Sequence, residues 1–82
     1  MDNNLKITVV GSGYVGMSVA ALLAKRNELT ILDIDKDRIN KINSNQSTIE
    51  DAEIKKLFLK KKLSIKATLD EFEAYQGAEF II

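Results

Sequence analysis

Val10-Gly11-Ser12-Gly13-Tyr14-Val15-Gly16 lies between an apolar run and a helical pattern, and Asp33 follows Gly13 by 20 positions. The spacing G-x-G-x-x-G is weak alone, because glycine triplets arise at this spacing by chance. Its surroundings make it specific. Leu5-Lys6-Ile7-Thr8-Val9-Val10 alternates at first, ends fully apolar and stops at a glycine, so it predicts a buried strand. Tyr14 to Arg26 contains no breaker except Gly16 and predicts a helix. Val15, Val19, Leu22 and Leu23 fall at i, i+4, i+7 and i+8 on one face of it. Ala20, Ala21 and Ala24 add helix propensity and permit close packing.

Asn27 ends that helix, and Leu29-Thr30-Ile31-Leu32-Asp33 predicts a second strand. Asp35 can cap a short helix through Ile39 and Ile42. Asn43 to Ser47 is a polar loop. A helix from about Asp51 to Lys60 places Ile54, Leu57 and Phe58 on one face. Leu63 to Ala67 predicts a third strand. Thr68-Leu69-Asp70-Glu71 fits a capping box that opens a helix through Phe72 and Tyr75, with Gly77 at the C′ position. Ala78 to Ile82 begins a fourth apolar strand. Strands alternating with helices imply a parallel sheet with right-handed crossovers. The expected fold is α/β, a partial Rossmann fold over residues 1–82: a four-stranded parallel sheet in the order 3-2-1-4 with flanking helices.

Composition bounds the chemistry. At 82 residues the chain is one small domain or part of one, and it buries only roughly 60% of its unfolded surface. Lys plus Arg and Asp plus Glu are 12 each, so there is no electrostatic reason to expect nucleic acid or an anionic membrane as partner. The apolar runs stop well short of the ~20 residues of a membrane helix. No secretory signal precedes the first strand, so a cytoplasmic location is the default expectation. The chain has no cysteine and no histidine. It therefore lacks thiolate chemistry, disulfides, and the commonest acid–base group and metal ligand. Neither a catalytic residue nor a metal site is expected within it. Glu50, Asp51 and Glu53 read as an acidic helix N-terminus, and Lys55, Lys56, Lys60, Lys61 and Lys62 as a solvated helix end.

The glycine motif opens a helix after a strand, and an acid ends the next strand, which is the fingerprint of dinucleotide binding. Gly11 lets the strand turn tightly into the helix. Gly13 lets a pyrophosphate approach the backbone, and Gly16 lets helix and strand lie close. Free N–H groups near Tyr14 and Val15 face the phosphates, aided by the helix dipole. Asp33 accepts from the adenosine ribose hydroxyls and repels a 2′-phosphate, which favours NAD over NADP. Asp35 competes for that role, but it is better placed as a helix cap. Arg38 either reaches over the adenosine or is a solvated first-turn residue. Tyr14 packs on cofactor, on a neighbouring domain, or simply on the domain surface.

These segments resemble one family. Val10 to Ser18 is similar to the opening of the UDP-glucose 6-dehydrogenases, whose loop reads G-x-G-Y-V-G-L. Leu32-Asp33-Ile34-Asp35 resembles their second-strand ending. Ser47-Thr48-Ile49-Glu50-Asp51 resembles an S-P-I-x-D/E segment, with Thr48 in place of proline. Ser64 to Asp70 and Ala74 to Ile82 resemble the third strand, its helix and the fourth strand. The resemblance implies NAD contacts on Gly11, Gly13, Tyr14, Val15, Gly16, Asp33 and Arg38. It implies a parent that oxidises UDP-glucose to UDP-glucuronate with two NAD, in nucleotide-sugar metabolism and polysaccharide biosynthesis. It places the catalytic and UDP-sugar-binding parts downstream, so the segment itself is expected to be inactive. Related enzymes act on GDP-mannose and UDP-N-acetylmannosamine. A stand-alone NAD-sensing module is the alternative of a different class. An apolar fourth strand with unpaired backbone is expected to drive association into a homo-oligomer through the sheet edge.

Overall fold

The computed structural model describes residues 4–60 and 63–82. Met1, Asp2 and Asn3 of the polar opening, and Lys61 and Lys62 of the lysine cluster, lie outside the described residues, as does the side chain of Lys60. The elements run β1 (Lys6–Val10), α1 (Tyr14–Leu23), β2 (Glu28–Leu32), α2 (Lys36–Asn43), α3 (Ala52–Lys60), β3 (Ile65–Thr68), α4 (Glu71–Tyr75) and β4 (Phe80–Ile81). All strand pairs are parallel and the order is β3-β2-β1-β4, as expected. No helix among the described residues is long and apolar enough to cross a membrane.

The strand sequences alternate, and the register stacks like with like. Ile7 lies opposite Leu29, which lies opposite Ile65; Val9 lies opposite Ile31, which lies opposite Ala67. This apolar face joins the core with Met17, Ala20, Ala21 and Ala24 of the α1 region, Ile39 and Ile42 of α2, Ile49, and Ile54 and Phe58 of α3. The other face carries Lys6 opposite Glu28, and Thr8 opposite Thr30, which lies opposite Lys66. Among the described residues, short α4 packs on it. There the buried Thr8 hydroxyl donates to the Ala74 carbonyl.

Two expectations need correction. Helix α1 ends at Leu23, and its buried stripe is Met17, Ala20, Ala21 and Ala24, not the Val15–Val19–Leu22–Leu23 face. Val15 is 79% exposed and Leu22 62%. Both faces have helical spacing, so periodicity alone does not choose between them. The small side chains win because they let the helix backbone approach the sheet. Asn27 then ties the helix end to β1, accepting from Leu5 N–H at 3.0 Å and donating to the Leu23 carbonyl at 3.0 Å. The second correction concerns α4. Its N-cap is Asp70, which accepts from Phe72 N–H at 2.9 Å. Thr68 is still paired in β3 opposite Leu32 and cannot serve as the cap, although its hydroxyl does reach Glu73. Gly77, at φ +76°, takes the left-handed C′ position after α4.

The two sheet edges differ. At the β3 edge the Asn43 side chain imitates a neighbouring strand. It donates to the Ala67 carbonyl at 3.0 Å and accepts from the Ala67 N–H at 2.9 Å. Removing it strands both backbone groups. Asn43→Ala is expected to lower stability by about 1–3 kcal/mol in urea unfolding, at an unchanged m-value.

Candidate functional site

Strand β1 delivers the chain to Gly11 while still paired, for the Gly11 N–H donates to the Leu32 carbonyl at 2.7 Å. Gly11 then turns at φ +95°, a region that glycine enters without a Cβ penalty. The other two glycines serve space rather than conformation. A Cβ on Gly16 would overlap the Gly11 carbonyl oxygen, so its absence lets α1 start directly against β1. A Cβ on Gly13 would meet nothing within 4 Å. Packing therefore does not demand glycine at 13. What it leaves there is clear access to the loop backbone.

The helix N-termini differ in what closes them. Asp35 caps α2, accepting from Asp37 N–H at 2.9 Å and Arg38 N–H at 3.3 Å. Asp51 caps α3, accepting from Glu53 and Ile54 N–H at 3.0 Å each. Asp70 caps α4. Helix α1 begins at Gly13 with no side-chain cap and no acidic residue in its first turn. Its dipole and first-turn N–H groups have no side chain to offset them.

The loop is held from inside by Ser12, which is fully buried. Its N–H and hydroxyl donate to one oxygen of Asp33, Oδ2, at 2.8 and 2.5 Å. Its carbonyl accepts from the Thr48 hydroxyl at 2.7 Å. The sequence pattern treats position 12 as a free choice between glycines, so Ser12 carried no signal. Thr48 was visible only as a departure from proline.

Asp33 follows β2 directly and is itself buried. Its Oδ1 accepts from the Asp35 N–H at 2.9 Å, and Arg38 lies 3.8 Å from Oδ2. Burial pushes the Asp33 carboxyl up. The Ser12 hydroxyl, the Asp35 and Ser12 N–H groups and the Arg38 guanidinium outweigh it, and the net value falls below the ordinary 3.8. The group is ionised at neutral pH, as repulsion of a 2′-phosphate requires. A cleft of about 720 Å³ opens beside it at the carboxyl ends of the strands, lined by Gly11, Asp33, Ile34, Leu69 and Phe72 among others. Ligands bind at such ends in open α/β sheets.

The remaining candidates lie on the rim. Arg38 bridges Asp33 and Asp35, at 3.8 Å from each. Tyr14 and Val15 project from the loop, exposed, and the Tyr14 hydroxyl donates to the Glu50 carbonyl at 3.4 Å. The carboxylates around residue 50 are engaged locally. Asp51 caps α3, and Glu50 pairs with Lys55 at 2.8 Å.

Because Asp33 titrates lower folded than unfolded, it stabilises the fold fully above pH 3.8. That contribution is lost as acid takes the pH down through the folded value. Asp33→Asn is expected to cost about 1–3 kcal/mol at pH 7. It should also flatten the acid limb of a stability-against-pH curve measured by urea unfolding between pH 2 and 7.

Residues 5–82 match the NAD-binding domain of the UDP-glucose/GDP-mannose dehydrogenase family. The chain is 41% identical to the UDP-glucose 6-dehydrogenase of Streptococcus pneumoniae over 78 residues, 95% of this chain and 20% of that protein. It is 41% identical to the Campylobacter jejuni enzyme of the same name over 80 residues, with the same coverage. Among solved structures, GDP-mannose dehydrogenase from Pseudomonas aeruginosa superposes with a TM-score of 0.79 at 26% identity, over 93% of this chain and 19% of that one. The chain thus spans about a fifth of the length of the curated relatives it matches. With the uncapped glycine loop, the strand-end carboxylate and the parallel order in place, the chain belongs to the UDP-glucose/GDP-mannose dehydrogenase family, as its NAD-binding domain.

Proposed function

We propose that this chain is the NAD-binding segment of a UDP-glucose 6-dehydrogenase. The observation that carries the reading is the contrast at the helix starts: three are closed by Asp35, Asp51 and Asp70, and α1 is open over Gly13. The two relatives at 41% identity support UDP-glucose as the substrate of the whole protein. When bound, NAD would supply a hydride acceptor for oxidation of the sugar alcohol. The residues of this chain bind and orient it. Gly11, Gly13 and Gly16 keep the loop backbone accessible, and the first turn of α1, at Tyr14 and Val15, faces the pyrophosphate. Asp33 takes the adenosine ribose with lone pairs that Ser12 and Asp35 leave free. Arg38 lies beside it at the adenosine end.

The chain holds no group for the oxidation itself and is inactive alone. The catalytic and UDP-sugar-binding parts belong to the parent, which is expected to reduce two NAD per UDP-glucose. Gly13→Val places a side chain in the open space over the loop, where its Cβ meets no protein atom within 4 Å. It is expected to abolish saturable NAD binding in calorimetry and NAD reduction with UDP-glucose, while circular dichroism shows the fold retained. Normal affinity in that variant would sink the loop assignment. Turnover only with GDP-mannose or UDP-N-acetylmannosamine would reassign the substrate.

The 82-residue chain is also proposed to associate through β4. Phe80, Ile81 and Ile82 are each more than half exposed, and β4 pairs with β1 on one side only. Sedimentation at micromolar concentration is expected to show a homo-oligomer, and Ile81→Lys to return it to monomer. A monomer before substitution contradicts the proposal.

A further inference from the structure

We propose that Thr48 is a positioning residue for the dinucleotide, acting through the peptide between Ser12 and Gly13. The proposal rests on the assignment of the glycine loop to the pyrophosphate. In a trans peptide the carbonyl oxygen and the following N–H point to opposite sides. The Thr48 hydroxyl binds the Ser12 carbonyl at 2.7 Å and so fixes one side of that plane. The Gly13 N–H is thereby turned away from Thr48, at a loop position where a Cβ would meet no protein atom within 4 Å. Asp33 fixes the preceding peptide in the same manner through the Ser12 N–H. Two side chains from different parts of the chain thus set two successive planes of a loop whose glycines have no side chains of their own.

Thr48 is suited to this because its own segment is rigid. Ser47 Oγ donates to the Ile49 carbonyl at 3.0 Å and accepts from the Ile49 N–H at 3.1 Å. Ile49 is buried in the core beneath. Thr48 is therefore held between a closed turn and a core anchor. The Tyr14 hydroxyl on the Glu50 carbonyl adds a second link from the same segment to the start of α1. Residues 47–50 act as a strap across the loop. A hydroxyl at 48 costs little conformational freedom, and it places a donor that an aliphatic side chain of the same shape lacks.

The test compares NAD with adenosine, which has the ribose and base but no pyrophosphate. Calorimetric titration of the full chain is expected to show NAD affinity about tenfold weaker in Thr48→Val, the loss of one oriented hydrogen bond. Adenosine affinity should be unchanged, and Thr48→Ser should restore NAD binding. In parallel, the Gly13 amide resonance at saturating NAD should shift by the same amount in the unsubstituted protein and in Thr48→Ser, and by clearly less in Thr48→Val. If Thr48→Val does not fold, Thr48→Ala is read in the same two assays. Unchanged NAD affinity in Thr48→Val, with Gly13→Val impaired, overturns the role of Thr48 and leaves the loop assignment standing. Equal weakening toward NAD and adenosine also overturns it, since general loosening of the fold would act on both. Intact NAD binding in Gly13→Val overturns the loop assignment and this proposal together.

Discussion

The Asp33 carboxylate is the contact on which the site depends. It joins the end of β2 to the turn between β1 and α1, two places that the sheet brings side by side and already links through the Gly11 N–H on the Leu32 carbonyl. One oxygen holds the Ser12 N–H and hydroxyl, and the other holds the Asp35 N–H. A loop of glycines cannot brace itself with side chains. Ser12 is the one residue between Gly11 and Gly13, and all three of its polar atoms are engaged, two by Asp33 and one by Thr48. Native domains are stable by roughly 0.05–0.15 kcal/mol per residue. For a chain this short, a buried donor left without its acceptor would consume a large part of that margin. The carboxylate proposed to bind ribose is thus also part of what holds the loop in shape. Binding and folding are coupled at one residue.

Close approach is the second constraint. Helix α1 reaches the sheet because Gly16 has no Cβ to meet the Gly11 carbonyl and because Ala20, Ala21 and Ala24 continue the same small stripe. Met17, fully buried, packs a longer flexible side chain into the same stripe. That proximity brings the N-terminus of α1 over the carboxyl end of β1. Bulkier residues on the inner face would hold the helix further out.

Most of the architecture was legible in the sequence, because local signals and global topology agree. Alternation in β1 and β2, Asp35 at a cap position and Gly77 at a C′ position each act through the backbone, and each falls where expected. The misreadings share one cause. For α1, two stripes had helical spacing, and the choice between them depends on interhelix and helix–sheet distance, a tertiary quantity. For α4, Thr68 and Asp70 both suit an N-cap, and pairing of Thr68 with β2 decided between them. The site divides in the same way. Gly11, Gly16 and Asp33 announce themselves because only those residue types suit the turn, the contact and the strand end. Ser12 and Thr48 do not, because their roles arise from partners 21 and 36 positions away.

The sheet itself is asymmetric in two directions, and both bear on what the chain can join. Parallel sheets are normally apolar on both faces. Here one face is packed by α1, α2 and α3, while the other presents Lys6, Glu28, Thr30 and Lys66 beside α4. That polar face tolerates water and gives an apolar helix little to bury against. The edges differ as well. The Asn43 amide occupies the outer backbone groups of Ala67, closing β3 as an edge. At the other end β4 pairs only with β1, and its side chains Phe80 and Ile81 are apolar. Proteins blunt true edges with charge, proline or covering side chains. The chain does so at β3 and not at β4. By that rule β3 is a blunted edge, and β4 among the described residues presents an apolar one.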